Sequence, residues 1–310
     1  MRTLKIAGWG TWLPERVVRF GDQTRHRVDD DVSQLDMLAA ASERALARAG
    51  VAPDELDGVI AAVAAGVQPI PCTAALVMER VAPGARAAAF DVGSTCTSFI
   101  TALDVASRYL ADGDLERVLV VSGDVATRFL DPDQRESHEL FSDAAAAVVL
   151  TRGDDPGQGV VASLQQTWPE HAHDTELRGG LSRYPARGYA DGDPADHLFD
   201  MDGRRALRGM LDVLPGFFDR FWQRSGLTPA DVDLVVPHQA SRALGLAMRR
   251  LGLPPGSYVD AVAEYGNMVS ASVPYTLARC LDDGRLGRGD TVLLCGTAAG
   301  LTANALALRL

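Results

Sequence analysis

Apolar positions along the chain switch between two periods. From Val32 to Ala49, Leu35, Leu38, Ala39, Ala45 and Leu46 fall on one helical face, and Gly50 stops the run. Helical spacing returns at Ala74–Val81, from Cys96 through Phe99, Leu103, Ala106 and Leu110, and again at Leu207–Ser225, Ser241–Leu251 and Val269–Cys280. Between them lie apolar runs of strand length: Leu4–Gly10, Asp57–Ala65, Ala87–Val92, Arg117–Gly123, Phe141–Leu150, Val232–Val236, Thr291–Leu294 and Ala303–Leu308. Strands interleaved with helices predict an α/β fold. The rest reads as connections. Thr11–Asp31 is polar and irregular, Gln68–Cys72 is a loop with two prolines, and Asp124–Glu139 is a charged loop. Thr151–Gly159 is the clearest linker. Gln165–Leu198, which carries Trp168, His171, His173, Tyr184 and Tyr189, reads as a long surface loop or flap.

The two halves echo each other. Gly50–Ile60 recurs as Gly226–Val236, with proline, acid and aspartate in the same places. Leu110-Ala-Asp-Gly-Asp-Leu recurs from Leu281, and Val120-Val-Ser-Gly recurs from Leu293. Shared α/β composition is the plainer explanation, but three echoes in chain order at nearly one spacing point to a duplicated unit. The predicted halves are 1–155 and 156–310. At the repeat spacing Gly93–Cys96 corresponds to Gly266–Val269, each a glycine turn opening a buried helix. Packed about a pseudo-twofold axis, such helix starts place Cys96 and Asn267 on one cleft between the halves.

Composition narrows the class. The chain has 310 residues, 47% hydrophobic and 23% charged, as expected of a globular protein with a large core. Its net charge of −11 repels nucleic acid, and no basic run with interleaved aromatics offsets it. The longest apolar run, Ala144–Leu150, is too short to span a bilayer, and the first residues lack the apolar stretch of a signal peptide. The 4 cysteines, Cys72, Cys96, Cys280 and Cys295, are widely spaced without a C-x-x-C, which predicts a reducing cytoplasm. Gly8-Trp9-Gly10 lacks the third glycine of a dinucleotide fingerprint. His171-Ala172-His173 lacks a third metal ligand at useful spacing and reads as solvated loop. No metal and no cofactor are expected.

Cys96 stands where a strand turns into a helix. Unpaired N–H groups and the positive end of the macrodipole at such a position lower a thiol's pKa and favour a nucleophilic thiolate. The other reading is a small buried core residue. His238 follows the strand ending Val235-Val236-Pro237, at the carboxyl edge where open α/β sheets place ligand-binding loops; a structural histidine is the alternative. Asn267 alone reads as a helix cap. Together the three supply a nucleophile and two hydrogen-bond donors for a carbonyl oxygen.

Asp91-Val-Gly-Ser-Thr-Cys96-Thr-Ser-Phe99, Val236-Pro-His238-Gln-Ala-Ser241 and Gly266-Asn267-Met-Val-Ser-Ala-Ser-Val-Pro274 resemble the β-ketoacyl-[acyl-carrier-protein] synthase III family of thiolase-fold condensing enzymes. The likeness runs over nearly the whole chain, with Phe141-Ser142-Asp143 at the family's Phe-Gly-Asp segment. It implies a thiolase-like fold of two pseudo-symmetric halves in α-β-α-β-α layers and a cytoplasmic homodimer. It also implies an acyltransferase in which Cys96 takes an acyl group from a thioester of acyl carrier protein or coenzyme A. His238 and Asn267 would hold a malonyl thioester through loss of CO2, and the N–H groups of Cys96 and Ala299 would form the oxyanion hole. Arg135, Arg204, Arg242 and Arg249, with Arg250 beside them, are its implied substrate or carrier contacts, and Ile70 its implied contact with the partner's acyl pocket. The chain departs from the pattern in several places. It is shortened and lacks Trp around Gly21–Arg27. Ala298-Ala299-Gly300 replaces a glycine triplet, Ser241 replaces Asn, and Arg204 replaces Asn. These departures imply a specialised secondary-metabolism relative. They leave open transfer of the acyl group to an alcohol or amine without decarboxylation, and an inactive scaffold.

Overall fold

The computed structural model describes residues 1–153, 155–180, 182 and 192–310. Strands β1 (Arg2–Thr3) and β2 (Lys5–Trp12) lead into a hairpin of β3 (Val17–Phe20) and β4 (Gln23–His26). Helix α1 (Gln34–Ala49), β5 (Gly58–Ala61), α2 (Thr73–Val81) and β6 (Ala88–Asp91) follow, then α3 (Ser98–Asp112) and β7 (Arg117–Asp124). A short α4 (Arg135–His138) precedes β8 (Ala144–Thr151) and β9 (Gly159–Thr167). After β10 (Thr175–Glu176) and β11 (Asp200–Met201) come the long α5 (Gly203–Ser225), β12 (Leu234–Pro237), α6 (Leu244–Arg250) and α7 (Val262–Tyr265). Helix α8 (Ser272–Asp282) and the hairpin β13 (Thr291–Ala298) and β14 (Thr302–Arg309) end the chain.

Two five-stranded mixed sheets carry the fold, in the orders β2-β8-β7-β5-β6 and β1-β9-β14-β13-β12. They repeat one pattern. In each, a parallel pair (β5–β7, β12–β13) joins an antiparallel one (β7–β8, β13–β14), and the last strand pairs antiparallel with β2 or β9. The sequence echo has a structural basis. Gly50 and Gly226 both end a helix in the left-handed region, and a 3-10 turn follows each, at Pro53–Glu55 and Pro229–Asp231. Asp57 then accepts from Arg117 N at 2.9 Å, and Asp233 from Thr291 N at 2.7 Å, locking the same strand to its neighbour in both sheets.

Helices α3 and α8 lie between the sheets. Phe99, Leu103, Ala106 and Leu110 of α3 and Val273 and Leu277 of α8 share one core with Ile60, Val120, Leu294 and Leu306 from both sheets. Helices α1 and α2 cover the outer face of the first sheet, and α5 and α6 that of the second. Five layers result, α-β-α-β-α. Two connections differ from expectation. The polar stretch 11–31 contains the β3–β4 hairpin, whose second strand buries Gln23 and Arg25 instead of apolar residues. The segment from Gln165 is not all loop: its first residues finish β9, which pairs along β14. Tyr184 and Tyr189 lie outside the described residues. Among the described residues no helix is long and apolar enough to cross a membrane.

Strand β2 lies flush against α1 because Gly10 carries no side chain. A Cβ there would come within 2.3 Å of the Ala41 carbonyl oxygen and 2.6 Å of Ala45 N. Gly10→Ala must therefore push α1 off the sheet. Overpacking of this kind costs about 1–3 kcal/mol, so the urea unfolding midpoint of Gly10→Ala should fall well below that of the unsubstituted protein.

Candidate active site

A cavity of about 840 Å³ opens where the central helices begin, and Cys96, His238, Asn267 and Ala299 line it. Each arrives from a different element. Cys96 sits in a 3-10 turn, Thr95–Thr97, between β6 and α3. Thr95 takes φ +47°, a left-handed conformation costly for a β-branched residue. Val269 takes φ +49° in the matching turn Val269–Ala271 before α8. In both turns the serine that begins the helix accepts from a backbone N–H four residues earlier, Ser94 N to Ser98 Oγ at 2.9 Å and Met268 N to Ser272 Oγ at 3.0 Å. This pairing corrects the sequence register by one residue: the counterpart of Cys96 is Ser270, not Val269.

His238 follows β12 and is 3% exposed. Its N–H donates to the Cys295 carbonyl at 2.7 Å, and the buried Nδ1 has no hydrogen-bond partner among the described residues. Gln239 holds the loop: its Nε2 donates to the carbonyls of Pro237 and Val259, and its Oε1 accepts from Ala261 N. Asn267 is held through both ends of its amide. Nδ2 donates to the Ala240 carbonyl at 3.2 Å and Oδ1 accepts from Val269 N at 2.9 Å. Its backbone pairs with the Leu140–Ser142 segment, and Gly266 before it, at φ +68°, leaves room for the Arg25 side chain. Arg25 is fully buried and donates to the carbonyls of Glu139 and Val262, tying the β3–β4 hairpin to the floor of the site.

Asp124, at the end of β7, also lines the cavity and was placed by the sequence reading in a charged loop. It is buried and accepts four hydrogen bonds: Ala64 N and Ala65 N on Oδ1, each at 3.0 Å, and Ser270 N at 3.2 Å and Ser270 Oγ at 2.5 Å on Oδ2. The strand-end position was legible; its link to Ser270, which needs the second half, was not.

The electrostatics overturn one expectation. Burial first, and then the Asp124 carboxylate, push the Cys96 thiol up to about 12, while hydrogen bonding from the backbone of Cys96 and of Ala299 pulls the other way. Desolvation and a like charge outweigh the helix start. Burial pushes the His238 imidazole down to about 4. Near neutral pH the site therefore holds a thiol and a neutral imidazole.

The remaining predicted residues divide. Arg135 and Arg242 line the cavity mouth but are exposed, and Arg135 is paired with Glu139 at 2.6 Å. Arg204 and Arg249 are exposed and lie off the cavity, and Arg250 donates to the Leu211 carbonyl. Ile70 is 85% exposed and away from this chain's own cavity. In the Ala298-Ala299-Gly300 turn only Gly300 has positive φ, so the alanines fit without strain. His171 is not a solvated loop residue: it lines the cavity and bonds Asp174, whereas His173 is exposed.

The family model of 3-oxoacyl-[acyl-carrier-protein] synthase III matches residues 90–168, and that of the synthase III C terminal matches 222–310. A β-ketoacyl-[acyl-carrier-protein] synthase III of Methylococcus capsulatus is 33% identical over 99% of both chains. The chain belongs to the β-ketoacyl-[acyl-carrier-protein] synthase III family. Among solved structures, the synthase III of Aquifex aeolicus superimposes with a TM-score of 0.87 at 27% identity, covering 99% of this chain and 100% of that one. The priming β-ketosynthase of the R1128 polyketide pathway does so with a TM-score of 0.87 at 28% identity, over 100% of this chain and 96% of that one. The fold is thiolase-like, and the protein is a synthase III-like acyltransferase of the condensing-enzyme class that serves fatty acid or polyketide synthesis.

The Asp124 charge faces the thiol, so its removal should favour the thiolate. Asp124→Asn is expected to lower the Cys96 pKa and speed its alkylation by iodoacetamide at pH 8, about tenfold for each pH unit gained. Mass spectrometry of the Cys96 peptide across a pH series reads this out. In the unsubstituted protein the rate should still be climbing at pH 10.

Proposed function

We propose that the protein condenses an acyl group held on Cys96 with a malonyl thioester by decarboxylative Claisen chemistry. The observation that carries this reading is the lining of one cavity by Cys96, His238 and Asn267, the last two buried and neutral. In the first half-reaction the Cys96 sulfur attacks the thioester carbonyl, the carrier thiol departs with the proton, and an acyl-Cys96 remains. The N–H groups of Cys96 and Ala299, both hydrogen-bonded toward the sulfur, are set to hold the oxyanion. A thiol held at about 12 is a poor thiolate at rest, so its proton leaves as the C–S bond forms.

In the second half-reaction the malonyl carboxylate leaves as CO2 and its electrons pass into an enolate. Two neutral donors suit that oxygen: a histidine held near 4 stays uncharged across physiological pH, and Asn267 cannot ionise. The enolate carbon then attacks the acyl carbonyl, the C–C bond forms as the C–S bond breaks, and the sulfur regains a proton. The thioester comes from an acyl carrier protein or coenzyme A. The exposed Arg204, Arg242 and Arg249 suit an acidic carrier, with Arg135 at the mouth, and the exposed Ile70 supports its reading as the piece a second copy buries. The two sheets support a division into halves at 1–155 and 156–310.

Incubation with an acyl thioester and labelled malonyl thioester should release CO2 in step with β-ketoacyl product. His238→Ala and Asn267→Ala should each slow that release by about 10²–10³, the usual effect of removing one oxyanion donor. Turnover of the acyl group with no CO2 would replace condensation by simple transfer.

A further inference from the structure

One polar group on the cavity wall is not used by this chemistry. His171 follows β9 in a 3-10 turn, Pro169–His171. Its Nδ1 lies 2.7 Å from Asp174 Oδ2, and the other Asp174 oxygen lies 2.6 Å from Arg205 Nε. The Asp174 side chain is only 5% exposed. A carboxylate oxygen accepts, so this contact puts the His171 proton on Nδ1. The ring lies against Gly209 of α5, where a Cβ would come within 2.8 Å of Cε1. Orientation and tautomer are thus both set. Nε2 is left as a lone-pair acceptor without a hydrogen-bond partner among the described residues.

The wall is mostly apolar: Phe129, Leu177, Phe199, Leu207 and Met210 line the same cavity as His171 and Asp174, with Glu136, Glu139 and Glu176 among the polar residues there. A plain hydrocarbon chain filling it would strip water from Nε2 and return nothing, whereas a group bearing a hydrogen-bond donor would satisfy it. We propose that His171, oriented by Asp174, binds a hydroxyl group on the molecule that fills the cavity, which rests on the reading of that cavity as the acyl-Cys96 site. The hydroxyl belongs either to the acyl chain or to an alcohol that accepts the acyl group. In the second case the alcohol oxygen bonds the acyl carbon as the C–S bond breaks, and it gives up its proton. The departing sulfur then takes a proton, leaving ester, free thiol and neutral imidazole.

The test uses N-acetylcysteamine thioesters of octanoate and of the hydroxyoctanoates, with intact mass reporting loading of Cys96. Octanol is then added to octanoyl-loaded protein and ester is measured. If the acyl chain carries the hydroxyl, at least one hydroxyoctanoyl thioester loads about tenfold faster than octanoyl. If the acceptor carries it, octanol releases octanoyl ester. Whichever response occurs should be lost in His171→Leu and partly kept in His171→Gln, whose amide oxygen still accepts. Equal loading by every thioester with no ester formed overturns the proposal on the unsubstituted protein alone, and so does a response undiminished in a folded His171→Leu. No adduct on Cys96 with any thioester removes the reading of the cavity and this proposal together.

Discussion

A buried carboxylate joins the two halves of this protein. Asp124 ends a strand of the first sheet, and its second oxygen takes both donors of Ser270, at the start of a helix from the second half. Its first oxygen takes the N–H groups of Ala64 and Ala65. A carboxylate without water is tolerated only when its lone pairs are filled, and removal of a partner leaves the charge uncompensated. The arrangement therefore makes a demanding contact between segments far apart in the chain, beside the thiol. Ser270 is the pseudo-symmetric counterpart of Cys96. Of two equivalent positions, one holds the sulfur and the other holds the acid that acts on it.

The site that results is neutral rather than ionic. Burial and the Asp124 charge keep the thiol protonated, and burial alone keeps the imidazole uncharged. A Cys–His pair of that kind is not a resting thiolate–imidazolium pair. It suits chemistry in which charge appears only in the transition state, on an oxygen, and is met by fixed neutral donors. His238 and Asn267 are both held in place by buried hydrogen bonds. Gln239 is fully buried and bonded at both ends, Asn267 is bonded at both ends of its amide, and Arg25 anchors the turn behind it.

Of the departures from the family pattern, the Ala298-Ala299-Gly300 turn and Ser241 line the cavity, and Arg204 does not. The alanines of the Ala298-Ala299-Gly300 turn are accommodated because the left-handed position falls on Gly300. Arg204 is exposed at the start of α5, outside the cavity. The cavity wall itself carries the His171–Asp174 pair in an apolar setting.

The order of strands and helices, the duplicated pattern and the strand-end and helix-start settings of Cys96, His238 and Asn267 were legible because they are local. Period reports burial, glycines mark helix ends, and short segments around each residue keep their spacing. The hairpin at Val17–His26 was not legible, since its second strand buries Gln23 and Arg25 instead of apolar residues, and neither was β9, which is defined by its partner β14. The thiol's high pKa was beyond the sequence for the same reason. The helix start could be read locally, but its effect is outweighed by burial between two sheets and by an acid at another strand's end. Tertiary structure also decided that His171 lines a cavity: Asp174 is a neighbour along the chain, but Gly209 meets the ring only when α5 packs against this segment. Sequence determines what depends on neighbours along the chain; dielectric, charge proximity and exposure depend on neighbours in space.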